Sequence, residues 1–120
     1  MYLLSKNAIN QYRKGAKNGA DIPAKMLEVK LNCLCQAGNK EETPDGEQYT
    51  YGKFVMEVRN DTITKVYWDN NRERDVSQWQ DKKLRRIFKR NGLDERGNNW
   101  LEGKEPVTIV VVNGKTKRKI

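Results

Sequence analysis

The residues best placed by type and number to do chemistry are cations. Lys82, Lys83, Arg85, Arg86, Lys89 and Arg90 crowd one short stretch, and Lys115, Lys117, Arg118 and Lys119 lie close together near the end of the sequence. Side chains of this kind bind phosphate. Each phosphate they neutralise releases counterions, so the binding they support falls steeply with salt. Trp79 stands beside the first group and offers a flat ring on which a base can stack. The plainer reading of Trp79, and the one the sequence favours, is that it packs across to the sheet and anchors the first turn of its helix. The formal net charge of +8 and the isoelectric point near 9.6 point the same way as the clusters. They fit a polyanionic partner, whether nucleic acid, a membrane surface or an acidic protein, or a surface that only keeps the protein in solution.

Other chemistry is poorly provided for. There is no histidine, and Cys33 and Cys35 are the only cysteines, so nothing completes a zinc site. Two positions apart on a helix, the cysteine side chains point to different sides, which disfavours a mutual disulfide. They read as reduced core residues of a cytoplasmic protein. Asp69 to Asp75, DNNRERD, loosely resembles a calcium loop but lacks the glycine at the sixth position and the closing glutamate. No metal is therefore expected. No P-loop, dinucleotide fingerprint, Ser-His-Asp set or paired-carboxylate pattern occurs, and no cofactor is expected. Met1 to Leu4 is too short for a signal peptide, and no stretch is apolar enough to span a membrane.

The elements that must position these residues follow from periodicity. Met1 to Leu4 reads as a short strand or an extension over the core. Ser5 can cap a first helix running from about Lys6 to Lys17, with Ala8, Ile9, Tyr12 and Ala16 at helical spacing. Asp21 can cap a second helix, with Pro23 in its first turn and Gly38 at its end. Its wide apolar arc from Met26 to Cys35 predicts deep burial, with Lys25, Glu28 and Lys30 nearer water. Asn39 to Glu47 reads as a solvated acidic loop with a turn at Pro44-Asp45-Gly46. Gln48 to Trp68 predicts two strands joined by a turn at Arg59-Asn60-Asp61-Thr62. Ser77 and Gln80 form a capping box that starts a third helix, ending at Asn91-Gly92. Trp100 and Leu101 read as anchors in a polar stretch. Pro106 opens a strand over Val107 to Val112, and Asn113-Gly114 turns it into a basic edge strand from Lys115 to Ile120. The expectation is one domain over 1–120 with an α+β fold. Two N-terminal helices and a third helix lie against one face of an antiparallel four-stranded sheet, in the order ααββαββ.

Three stretches carry a resemblance. Leu4 to Arg13 opens like the first helix of small RNase domains in the barnase–EndoU–colicin–RelE group, with BrnT-like and phage-associated members nearest in pattern. Asp21-Ile22-Pro23 matches the opening of their second helix. Gln48 to Phe54 and Ile63 to Trp68 match their Tyr-x-Tyr-Gly and Thr-Val-Tyr strands. The likeness covers roughly residues 3 to 69 and is one of order and spacing. Where those relatives carry a histidine in helix one, this chain has Asn7, which can hydrogen-bond but cannot titrate. RelE-like members cut RNA with arginine, lysine and tyrosine, so the resemblance implies catalytic roles for Arg13, Lys65 and Tyr67, with Tyr51 and Asn7 beside them. It implies no metal. The same residues admit plainer readings. Arg13 and Lys14 can be the wet side of a helix, Tyr51 and Tyr67 core packing, Lys65 plain surface and Asn7 a helix-start residue.

The resulting expectation is a basic protein directed at RNA, cleaving or only binding it. Lys14, Arg59, Lys82, Arg85, Arg86, Lys89, Arg90, Lys117, Arg118 and Lys119 are its nucleic-acid contacts. An acidic immunity protein or antitoxin would be its partner if the toxin role of the group holds. The alternative is a non-enzymatic module of a phage or mobile element that binds nucleic acid or an acidic protein.

Overall fold

The computed structural model describes residues 1–16, 20–72 and 76–101. The strands expected at 107–112 and 115–120 lie outside the described residues. In chain order the elements are β1 (Leu3–Leu4), α1 (Lys6–Gly15), α2 (Ala24–Ala37), β2 (Asn39–Thr43), β3 (Gly46–Tyr51), β4 (Phe54–Arg59), β5 (Thr62–Trp68) and α3 (Gln78–Arg90). The strands form one sheet in the order β1-β5-β4-β3-β2. β2 to β5 are an antiparallel meander, and β1 joins β5 in parallel through Leu3 opposite Thr62 and Leu4 opposite Ile63. The fold is α+β as expected. Among the described residues, however, the sheet has five strands and is mixed, not four strands and purely antiparallel.

Two departures from the sequence reading have local causes. Asn39 to Glu47 is not a loop. It holds β2 and the start of β3, joined at Pro44-Asp45. β2 is an edge strand whose side chains face mostly water, so it has no apolar alternation to betray it, and its charges suit an exposed edge. The hairpin from Gln48 to Trp68 is three strands rather than two. Gly52, at φ +61°, turns the chain between Tyr51 and Phe54, which pair directly. The turn at Asn60 and Asp61 is where the sequence places it. Both take the left-handed region (φ 50° and 60°), as a type I′ hairpin requires.

The helices begin for identifiable reasons. The Ser5 hydroxyl accepts from the Ala8 N–H, and the Ser77–Gln80 capping box is formed from both sides. The second helix starts later than expected. Pro23, not Asp21, occupies its N-cap, with no side chain bonded to its first turn.

α2 explains how the layers stack. It lies between the sheet and α3, so two of its sides must be apolar. Residues two apart on a helix are separated by about 200°, and the two cysteines obey this. Cys33 meets the Ile87 carbonyl of α3, whereas Cys35 meets the Met56 sulfur of β4. Both thiols are free, and burial pushes them up to about 11 and about 12 respectively. α3 therefore rests on α2, with Leu84, Ile87 and Phe88 buried and the Phe88 ring also close against Gly97. Asn32, buried on α2, fixes β1 to this layer. Its amide accepts from the Tyr2 N–H (2.7 Å) and donates to the Tyr2 carbonyl (2.9 Å).

α1 lies along β5. Beyond Ile63, β5 has no strand on its outer side among the described residues, and α1 supplies side chains instead. Asn7 donates to the Thr64 carbonyl (3.2 Å), and Gln11 accepts from the Val66 N–H (2.8 Å). Four residues along a helix span about 6 Å and two along a strand about 6.8 Å, so the two spacings nearly match. At the end of α1, Gly15 lets the helix close on Trp68. A Cβ there would collide with the indole.

Leu31 is fully buried on α2. Leu31→Ala is expected to lower stability by about 2–5 kcal/mol through lost burial and the cavity left behind. Urea unfolding followed by circular dichroism measures this, and a loss below about 1 kcal/mol would contradict the central position of α2.

Candidate functional site

Two surfaces gather groups that could act on a ligand. The first is a cleft of about 990 Å³ between the end of α1, the end of β5 and the middle of α2. Lys14 comes to it from α1, Lys65 and Tyr67 from β5, and Lys30 from α2. Trp68, 37 % exposed, and Tyr12 give it aromatic walls. Their rings are tilted against one another at 5.7 Å, and Trp68 also packs on Phe54 at 4.8 Å, so the platform is held from behind.

Lys30 is the residue sequence reasoning misplaced. It is not on the wet side of α2 but half-buried in the cleft. Its ammonium donates to the Tyr12 hydroxyl (3.0 Å) and to the Asn98 side-chain oxygen. Burial pulls its pKa below the ordinary lysine value, and the nearby Asp94 charge opposes that. Burial likewise pushes the Tyr12 phenol up. Asn98 is held by the Asp94 loop. The Asp94 carboxylate accepts from the N–H groups of Arg96 and Asn98 at 3.0 Å each and from the Asn99 amide at 3.3 Å. Burial alone would push the Asp94 carboxyl up, but these hydrogen bonds outweigh it and its pKa lies below the ordinary value. Nothing at helical or strand spacing connects Lys30, Tyr12 and Asn98. The only hint was that position 30 follows Val29 at the edge of a wide apolar arc.

The second surface is α3. With α3 seated on α2, its remaining faces are open to water, and Trp79 is 64 % exposed. It does not pack across to the sheet. Lys83 sits over its ring at 5.2 Å, a cation–π contact. Trp79, Lys83, Arg86 and Arg90 line a groove of about 470 Å³ along the α2–α3 seam, closed by Gln36 and Ile87. Arg85 is paired with Asp81 (2.7 Å) and Lys89 with Glu95 (3.1 Å). Among the described residues, Lys82, Lys83, Arg86 and Arg90 have no ion-pair partner.

The residues expected to act together are partly dispersed. Lys14, Lys65 and Tyr67 do meet at the cleft, and the Lys65 ammonium lies 5.4 Å from the Tyr67 ring. Burial, with Glu57 and Asp69, pushes the Tyr67 phenol up, and Arg72 opposes this. Tyr51 is elsewhere. It pairs with Phe54 and thus with Trp68, whereas Tyr67 pairs with Val55 and Lys65 with Glu57. Tyr51 therefore lies on the opposite face of the sheet from Lys65 and Tyr67. Arg13 is exposed and donates to the Ile22 carbonyl (3.0 Å), and the Asn7 amide is engaged by Thr64. Arg59 is paired with Asp45 (3.1 Å) on the β2–β3 turn. Lys117, Arg118 and Lys119 lie outside the described residues. No helix among the described residues is long and apolar enough to cross a membrane, and no metal-ligating cluster occurs among them.

Comparison with known proteins gives no family: no family model, no curated protein and no solved structure matches this chain.

The Asp94 hydrogen bonds give the loop a pH dependence of definite sign. A carboxyl whose folded pKa is depressed stabilises the fold above its ordinary value of 3.8 and loses that contribution as pH falls through the lower native value. Asp94→Ala should therefore melt below wild type at neutral pH, with the gap closing as the pH drops below the ordinary carboxylate range. Thermal melts from neutral to strongly acidic pH check this, and a constant gap would contradict the assignment.

Proposed function

We propose that the protein binds RNA through α3 and does so without cutting it. The observation that carries this reading is Trp79. A large aromatic ring stands 64 % exposed at the head of a helix, with one lysine over it and two arginines in the same groove. Exposing an indole forfeits burial that would otherwise stabilise the fold. A ring flanked by cations suits a single-stranded polyanion whose bases stack while its phosphates meet the charges. Single-stranded RNA fits better than a duplex, because only unpaired bases offer a free face to such a ring.

The dispersal of the RNase-like residues supports binding over cleavage. Strand scission needs a base near the attacking hydroxyl and an acid near the leaving oxygen. Of Arg13, Lys65, Tyr67, Tyr51 and Asn7, Lys65 and Tyr67 line the cleft and the other three are not among the described residues that do. An acidic partner protein on this positive face is compatible with the reading, since it would compete for the same charges.

Binding to an unstructured oligouridylate, followed by fluorescence anisotropy over a range of salt, tests the proposal. Wild type should weaken with a log–log slope of about −0.7 per phosphate contact. Arg86→Ala and Arg90→Ala should each make the slope shallower by about 0.7. Trp79→Ala should lose about 1–3 kcal/mol of affinity while keeping the slope. Affinity that is indifferent to salt, or unchanged in all three variants, would exclude α3 as the interface.

A further inference from the structure

The cleft behind β5 has no part in the reading of α3, and its chemistry is of one kind. Three lysines, Lys14, Lys30 and Lys65, line it, and no carboxylate is among the described residues that do. Lys30 carries three N–H donors. Tyr12 and Asn98 accept two of them, and no carboxylate lies within ion-pair distance of it among the described residues. A half-buried ammonium with one donor left over, with Asp94 near it but beyond ion-pair distance, is suited to an anion. The opposite property stands next to it. Among the described residues Trp68 is one of four large apolar side chains left exposed, and it packs against Tyr12 and Phe54. Asn70 supplies an amide that can meet the edge of a heterocycle. The volume, about 990 Å³, is in the range of small-molecule sites.

We propose that this cleft binds a nucleoside monophosphate group, with its phosphate on Lys30, Lys14 and Lys65 and its base against Trp68. An anion alone would leave the indole unused, and an uncharged ring would leave three cations unused. The same group occurs as a free nucleotide and as the 5′-phosphorylated end of an RNA strand. The proposal stands on the cleft and does not require that α3 binds RNA.

Calorimetric titration of the full chain with uridine monophosphate, uridine and inorganic phosphate tests it. Uridine monophosphate should bind more tightly than either fragment. Lys30→Met, which keeps the stem and removes the charge, should weaken it on the order of tenfold. The surface variant Lys14→Ala/Lys65→Ala, which leaves the core untouched, should weaken it to a similar degree and serves if Lys30→Met fails to fold. Displacement by a 5′-phosphorylated trinucleotide would identify a strand end as the source, and its failure to displace would identify the free nucleotide. Arg86→Ala/Arg90→Ala must leave this affinity unchanged, which separates the cleft from α3. No binding of uridine monophosphate, equal binding of phosphate alone, or affinity unaltered in the foldable lysine variants would overturn the proposal.

Discussion

The outer edge of β5 is the constraint around which this molecule is arranged. A strand edge presents backbone donors and acceptors that must find partners or face water. β1 answers for only two residues, Thr62 and Ile63. α1 answers for the next ones with Asn7 and Gln11, using the near coincidence of a helical four-residue step and a strand two-residue step. Holding α1 there brings Gly15 onto Trp68 and sets Tyr12 against Phe54. The cleft is the space left where α1 ends and β5 continues. Its position is a consequence of edge covering rather than of any single loop.

The other surface follows from a second stacking decision. α2 is apolar on two sides and is used on both, by the sheet through Cys35 and by α3 through Cys33. That places α3 outermost. Its apolar stripe of Leu84, Ile87 and Phe88 is buried, and cations and Trp79 occupy its exposed side. Two of those cations are neutralised locally, by Asp81 and Glu95, which leaves the groove beside Trp79 as the more positive side of the helix. Charge distribution on α3 is thus a packing outcome as much as a compositional one.

How much of this was legible in the sequence depended on whether the signal was local. The Ser77–Gln80 box, the Asn60-Asp61 turn and the Ser5 cap were readable because each is a short-range hydrogen-bond or backbone pattern. β2 was hidden because NKEET has no apolar alternation and its strand character comes only from pairing with β3. The turn at Gly52 has a trace in the sequence that the two-strand reading leaves unused: the apolar alternation changes phase there, from Tyr49 and Tyr51 to Phe54, Met56 and Val58. Tyr51 falls on the other face from Lys65, which parity within a strand does not foretell, because parity is not carried across a turn. The inward packing that the sequence predicts for Trp79 suits a helix lying on a sheet, whereas α3 lies on another helix and leaves the indole exposed. Lys30, Tyr12 and Asn98 converge from 18 and 68 residues apart, and no local pattern records such a meeting.

The proposed contact between α3 and single-stranded RNA is centred on Trp79. Its most direct measurement uses the indole N–H resonances of the protein, of which there are three, for Trp68, Trp79 and Trp100. In a two-dimensional 1H–15N spectrum recorded during titration with oligouridylate, the account predicts that the Trp79 indole signal and the amides of Lys83, Arg86 and Arg90 move first and furthest. Shifts confined to other parts of the chain, with the Trp79 indole signal unmoved at saturation, would contradict it.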